Sequence, residues 1–167
     1  RIETIKIEKL VHGGQGIGVL DDGRKVFVWN ALPGEEVQVE ITKSKKDYAE
    51  GFATEILKAS KDRVSTLGRE DIELSVSPWS IMSYGAELEA KQQILQETFA
   101  REGVNVQIKD IETAGKLSGY RNKIEFSFWG DDDGLHFAHY LRATHRKIRL
   151  EYPYSDLIPD QMAVMAE

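Results

Sequence analysis

The sequence predicts a small β-barrel of the OB type followed by an α+β domain. Three observations carry that reading. Through residue 58, short stretches of alternating apolar and polar residues are punctuated by Gly, Pro and Asp-Gly, the pattern of a closed antiparallel barrel. Between Tyr84 and Arg101 apolar residues recur at helical spacing. Beyond Arg121 the alternation returns around the turn Asp131-Asp132-Asp133-Gly134.

The first strand is expected over Ile2–Leu10, where Ile5 and Ile7 alternate with Lys6 and Glu8. Gly13, Gly14, Gly16 and Gly18 follow. Their spacing does not match G-x-G-x-x-G and no Gly-Lys-Ser/Thr comes after, so a bulge or tight barrel corner outweighs a phosphate-cradling loop. Asp22-Gly23 marks a hairpin turn before the strand Lys25–Trp29, with Val26 and Val28 on one face and Phe27 and Trp29 on the other. Leu32-Pro33-Gly34-Glu35 is a turn; Val37, Val39 and Ile41 then alternate with Gln38, Glu40 and Thr42. Lys43–Asp47 turns the chain, and Tyr48–Leu57 closes the barrel.

Residues 59–83 carry scattered serines without periodicity and read as a loop-rich linker. In the helix that follows, Tyr84, Leu88, Leu95 and Phe99 lie near one face, Ser83 is placed to cap the start and Gly103 lies just past the end. Further strands are expected at Val106–Thr113, Arg121–Trp129, Leu135–Tyr140 and His145–Leu150. A last helix starts near Asp156. The domain division that results is 1–58, 59–83 and 84–167, the last a partial α+β domain. The chain opens on Arg1 and stops at Glu167 inside a helical pattern, which reads as a piece of a longer protein.

Composition bounds the chemistry. The 167 residues contain no cysteine, so disulfides, thiolate metal sites and a cysteine nucleophile are excluded within them. No apolar run approaches the roughly 20 residues that span a bilayer, and no leader pattern is present; neither a membrane partner nor DNA is expected, and a cytoplasmic location is. Net charge is −6. Residues 1–58 hold 9 basic and 10 acidic residues, and the remaining 13 and 18 fall beyond. Any phosphate contact must therefore come from local clusters on an acidic background, which implies modest, salt-sensitive affinity.

Three clusters qualify. Lys43, Lys45 and Lys46 sit at a hairpin tip beside Tyr48; ammonium groups suit a phosphate backbone and the ring a stacked base. An edge hairpin kept soluble by lysines explains the same residues equally well. Arg142, His145, Arg146, Lys147 and Arg149 form a second run. Arg121 and Lys123 form a third, which strand alternation places on one face with Glu125; a solvated, salt-bridged sheet face is the simpler account of that pair. His136 and His139 point to opposite faces of a strand, which disfavours a metal site. Asp131–Asp133 does not complete a calcium loop. No nucleophile–base or paired-carboxylate motif is present.

Read in order, the segments resemble the uracil-C5 RNA methyltransferase family. The residues that carry the likeness are Glu8-Lys9-Leu10-Val11-His12-Gly13-Gly14-Gln15-Gly16-Ile17-Gly18, Ala31-Leu32-Pro33-Gly34-Glu35, Lys45-Lys46-Asp47-Tyr48-Ala49-Glu50, Asp62-Arg63-Val64, Trp79 through Tyr84 with Leu88 and Lys91, and Gly119-Tyr120-Arg121-Asn122-Lys123-Ile124-Glu125-Phe126-Ser127. The resemblance implies an N-terminal TRAM domain, a central α+β domain and, outside this chain, a C-terminal domain that binds S-adenosylmethionine and carries the catalytic groups. It implies rRNA or tRNA as partner, and the three basic clusters supply the expected RNA contacts: Lys43, Lys45, Lys46, Tyr48, Arg121, Lys123, Arg142, Arg146 and Lys147. Many members hold an iron–sulfur cluster on four cysteines; the matching positions here are Gly68, Leu74, Ser77 and Tyr152, so no cluster is expected. A stand-alone RNA-binding module without chemistry, and an adaptor whose barrel binds protein, are the competing readings.

Overall fold

Six strands in the first 58 residues form one sheet. They are β1 (Ile2–Lys6), β2 (Lys9–Leu10), β3 (Gly16–Val19), β4 (Lys25–Trp29), β5 (Glu36–Ser44) and β6 (Tyr48–Lys58), hydrogen-bonded in the order β1-β5-β6-β4-β3-β2. This computed structural model describes residues 1–64, 78–113, 115–117, 119–123, 125–140 and 145–150. Alternation assigns the inner face: Ile5, Val26, Val28, Val37, Val39, Ala49 and Ala53 are buried together, with Ile7 and Leu20. Burying side chains of this size stabilises the fold by about 1.5–3 kcal/mol each for the larger ones.

Two features of the expected barrel are corrected. First, the sheet is open. β1 and β2 are its two ends and no ladder joins them. The single long strand expected over Ile2–Leu10 breaks at Ile7–Glu8 as the chain passes from one end of the sheet to the other. There the Ile7 N–H donates to Glu35 O at 2.9 Å and the Glu8 N–H to Ile17 O at 2.8 Å, so single bonds stand where a ladder would close the ring. Second, the sheet is not purely antiparallel. β4 and β6 run parallel, from Lys25 beside Tyr48 to Trp29 beside Phe52. Parallel neighbours need a crossover, and the nine-residue β5 is that crossover. Where β6 lies on β5, a Cβ on Gly51 would stand 2.5 Å from Val39 Cγ1 and 2.6 Å from the Glu40 carbonyl oxygen, so the approach requires glycine.

Helix α1 (Tyr84–Arg101) starts where expected. Ser83 Oγ accepts the Ala86 N–H, and past the C-terminus Gly103 takes a φ of 71° with its N–H on Ala100 O. The expected apolar face does not become a core stripe. No residue of α1 is buried and Leu95 is 44% exposed. Glu87, Gln92 and Glu97 are as covered as Leu88 and Ile94, and polar contacts tie the helix instead. Glu97 accepts from Lys9 Nζ at 2.5 Å and from Gln93 Nε2 at 3.0 Å, which holds its carboxyl below the usual range, and Gln96 donates to Val106 O.

Two compact units divide the chain. Among the described residues, the first holds 1–64 and 78–111 and the second those from 112 onward. In the second, β7 (Ser127–Asp131), β8 (Gly134–Tyr140) and β9 (Lys147–Arg149) form an antiparallel sheet in that order. The turn at Asp131–Gly134 falls as the sequence predicts. Val106–Thr113 is not a strand, and Arg121–Trp129 is strand only from Ser127. The β7–β8 ladder begins at Ser127, opposite Ala138; Arg121–Lys123, Glu125 and Phe126 precede it and are not in strand. The described part of the chain is mostly sheet. Of the two helices expected in the 84–167 domain, Tyr84–Arg101 is present and groups with the first unit, and the one near Asp156 lies outside the described residues.

Candidate nucleic-acid interface

The inner face of the six-stranded sheet fixes what the outer face presents. With Val26, Val28, Ala49, Gly51 and Ala53 turned inward, alternation turns Phe27, Trp29, Tyr48, Glu50 and Phe52 outward. Parallel pairing of β4 with β6 sets Phe27 beside Glu50 and Trp29 beside Phe52. Phe27 and Tyr48 meet edge to face at 5.9 Å between ring centres, and Ile17 of β3 lies against the register position of Phe27. The result is a half-buried band of four rings on one sheet face. Tyr48 was legible in the sequence as a stacking residue. Phe27 and Trp29 were not, because only the parallel pairing of β4 with β6 brings them to Tyr48 and Phe52.

Lysines rim this band unequally. Lys43 donates to Glu50 Oε1 at 2.7 Å and its Nζ lies 5.7 Å from the centre of the Tyr48 ring. The Glu50 hydrogen bond raises its pKa. A register shift between Ile41 and Lys43 turns this lysine onto the outer side, opposite Glu50. Lys45 and Lys46 are exposed and carry no ion pair among the described residues. The Lys45 N–H donates to Tyr48 O at 2.8 Å and closes the hairpin. Arg24 braces it: one Nη1 donates to Lys45 O at 2.6 Å and to Ser44 Oγ at 2.9 Å, while Nε and Nη2 hold Asp22 at 2.8 and 2.7 Å. That fork holds the Asp22 carboxyl below its ordinary range. A cleft of about 270 Å³ opens among Arg24, Lys43, Thr42 and Ser44, with Leu20 and Ala49 in its wall.

The second unit's candidates are more dispersed. Arg121 and Lys123 do not lie on a strand, so they do not share the expected sheet face. Lys123 is bound to Glu125 at 2.6 Å, both side chains 77% exposed; the bond raises the lysine pKa and lowers the glutamate's. Arg142 lies outside the described residues, as do Gly68, Leu74, Ser77 and Tyr152. Arg146 is exposed just before β9. Lys147 sits 5.3 Å from the centre of the Tyr140 ring and donates to Phe128 O. His136 contacts Asp131 at 3.1 Å, with His139 on the opposite face, and no group of metal-binding side chains forms among the described residues.

Sequence reasoning did not find the ion pair that fixes the sheet to the segment after it. Glu35 is fully buried and receives Arg63 Nε at 2.6 Å and Nη2 at 2.7 Å, the Leu32 N–H at 2.8 Å and the Ser60 N–H at 3.0 Å. Arg63 also donates to Asn30 O and Oδ1. The pairing spans 28 residues, and no local spacing signals it.

The TRAM domain family model matches residues 1–54. The likeness runs on past it. An uncharacterized RNA methyltransferase of Thermotoga maritima is 34% identical over 80% of this chain and 30% of its own length. The 23S rRNA (uracil(1939)-C(5))-methyltransferase of Halomonas elongata is 30% identical over 87% of this chain and 30% of its own. The chain is similar to these RNA methyltransferases, and it spans about a third of the length of the curated relatives it matches. The crystal structure of the Pyrococcus abyssi tRNA (uracil-54, C5)-methyltransferase with S-adenosyl-L-homocysteine superposes with a TM-score of 0.57 over 96% of this chain and 34% of that one. At 18% identity the superposition speaks for the fold.

Proposed function

We propose that this chain is the RNA-binding part of an S-adenosylmethionine-dependent RNA uracil-C5 methyltransferase that forms 5-methyluridine in rRNA or tRNA. The observation that carries the reading is a TRAM domain followed by continued likeness to RNA methyltransferases over most of the chain. The outer aromatic band of the TRAM sheet takes unstacked bases, and Lys43, Lys45 and Lys46 take backbone phosphates. Arg121, Lys123, Arg142, Arg146 and Lys147 extend the phosphate contacts in the second unit, which together with residues 84–111 corresponds to the family's central domain. The parent works on cytoplasmic RNA.

S-adenosylmethionine supplies the methyl group in this reaction class, and the described residues do not fit it. The N-terminus of α1 is capped by its own Ser83, and no glycine-rich strand-to-helix turn among them forms a cradle. Methyl transfer is therefore assigned to the rest of the parent, and this chain to holding RNA. The test is tritiated methyl transfer to rRNA and tRNA by the full-length parent, followed by nucleoside analysis. Formation of 5-methyluridine is expected. Loss of most activity is expected when Arg121 and Lys123 are both changed to Ala. A different modified nucleoside rejects the uracil-C5 assignment, and RNA binding with no transfer by the parent favours a stand-alone binding module.

A further inference from the structure

One carboxylate stands inside the aromatic band of the six-stranded sheet. Glu50 of β6 faces outward, with Tyr48 two residues before it and Phe52 two after on the same strand. Phe27 of β4 is its register neighbour on one side and Lys43 of β5 on the other. A charge among rings needs a partner, and Lys43 supplies it. Its Nζ donates to Glu50 Oε1 at 2.7 Å and lies 5.7 Å from the centre of the Tyr48 ring. No second hydrogen bond reaches the Glu50 side chain among the described residues, so Oε2 is open. Both side chains meet solvent, 45% exposed for Lys43 and 23% for Glu50. A carboxylate repels phosphate. On an RNA-binding face it lowers affinity for every sequence unless it gains a base contact, so its use there lies in selectivity.

The pair presents an ordered edge: Nζ donates, Oε1 accepts and Oε2 accepts. Lys43 spends one of its three N–H bonds on Glu50, and each carboxylate oxygen has two lone pairs. Guanine carries the complementary set along its Watson–Crick edge, with O6 as acceptor and then N1–H and N2–H as donors. Adenine and cytosine each set one donor beside one acceptor and match two of the three positions. Uracil also matches two, but it sets its O2 against Oε2, two acceptors with no proton between them. Single-stranded RNA exposes these edges, and aromatic side chains take the face of an unstacked base. We propose that Lys43 and Glu50, within the aromatic band, select an unpaired guanine in the bound RNA. The proposal rests on the reading of this sheet face as the RNA-binding one and adds a base preference to it. Lys45 and Lys46 meet phosphates of any sequence. Lys43, with three N–H bonds, can hold Glu50, a guanine O6 and a phosphate oxygen together.

Fluorescence anisotropy of the full-length parent with labelled single strands of about twelve nucleotides tests this. One strand is oligouridine; the others carry a single G, inosine, A or C at the middle. The G strand is expected to bind about fivefold tighter than oligouridine or better, the low end of discrimination by a bidentate base contact. Inosine lacks the N2 amino group that meets Oε2 and is expected to lose much of that gain. Glu50→Gln replaces an acceptor by a donor at nearly the same size. It is expected to bring the G strand within about twofold of oligouridine, while oligouridine binds tighter because a negative charge has left the phosphate-binding face. Equal affinities across the set, tightest binding of A or C, inosine binding as well as G, or a G preference that Glu50→Gln keeps each overturn base selection. The inosine comparison uses the unaltered protein, so it decides even if the variant misfolds. These outcomes leave the methyltransferase reading standing if the strands bind and the parent forms 5-methyluridine. A parent that binds none of the strands removes both.

Discussion

Glu35 and Arg63 lock two distant stretches of the first unit through a two-bonded fork, Nε to Oε1 at 2.6 Å and Nη2 to Oε2 at 2.7 Å, around a carboxylate with no solvent exposure. Each remaining lone pair of Glu35 is met by a backbone N–H, from Leu32 or Ser60. The pair is therefore satisfied, and removing one member strands the other. Glu35→Ala is expected to destabilise the unit by about 3–5 kcal/mol, the cost of breaking a buried pair. Arg63→Lys, which keeps the charge but not the fork, is expected to fall between Glu35→Ala and wild type. Urea unfolding followed by tryptophan fluorescence reads both. Wild-type stability in Glu35→Ala would remove the clasp from the account of the fold.

How far the sequence could be read depends on where its signals are local. Val26 with Val28 and Val37 with Val39 announce the core face, because period-two alternation is set by each strand alone. Ser83 and Gly103 announce the helix ends through their own backbone geometry. Glu35 and Arg63 carry no such signal, since each looks like an ordinary surface charge until a fold separated by 28 residues of chain brings them together. The aromatic band is intermediate. Phe27 and Trp29 could be assigned outward from alternation, but placing them beside Tyr48 and Phe52 needed the parallel pairing of β4 with β6. At Arg121–Phe126 alternation misled, because a strand also needs a neighbour and β8 meets β7 only from Ser127.

The lysines at the hairpin are not equivalent. Lys43 already holds Glu50, and releasing it to a phosphate costs that bond, whereas Lys45 and Lys46 are unpaired among the described residues. Each phosphate contact adds about 0.9 to the slope of log affinity against log salt for a duplex and about 0.7 for a single strand. Lys45→Ala with Lys46→Ala is expected to flatten the slope by about 1.4–1.8, and Lys43→Ala by less than half of that. Fluorescence anisotropy with a labelled RNA between low and moderate salt measures it. Equal effects of Lys43 and Lys45 would show that the Glu50 pair does not restrain Lys43; unchanged slopes would make the hairpin a solubilising edge.

Stacking on the outer face has a different signature. Tyr48→Leu and Phe52→Leu keep an apolar side chain on β6 but remove the ring. If bases stack there, each change is expected to weaken single-stranded RNA binding by about 1–3 kcal/mol while leaving the salt slope intact, because no phosphate contact is lost. Circular dichroism of the variants separates lost stacking from lost fold. A variant that folds and binds like wild type takes its ring out of the interface.

His139 gives the second unit a pH response of definite sign. Burial among Phe126 and its neighbours disfavours the imidazolium and lowers the His139 pKa below its ordinary 6.5. Between the lowered value and 6.5 the unfolded chain binds a proton that the folded chain does not. Stability therefore falls as pH drops through 6.5 and levels off once the folded form titrates too. His139→Phe, which fits a face already made of phenylalanines, is expected to abolish this contribution and flatten the profile between pH 7.5 and 5.5. Hydrogen exchange at the buried Ala138 amide, followed by mass spectrometry and corrected for the intrinsic pH dependence of exchange, reports on this sheet rather than on the TRAM domain. If wild type and His139→Phe lose protection in parallel on acidification, the imidazole is not held neutral and the response belongs to another group.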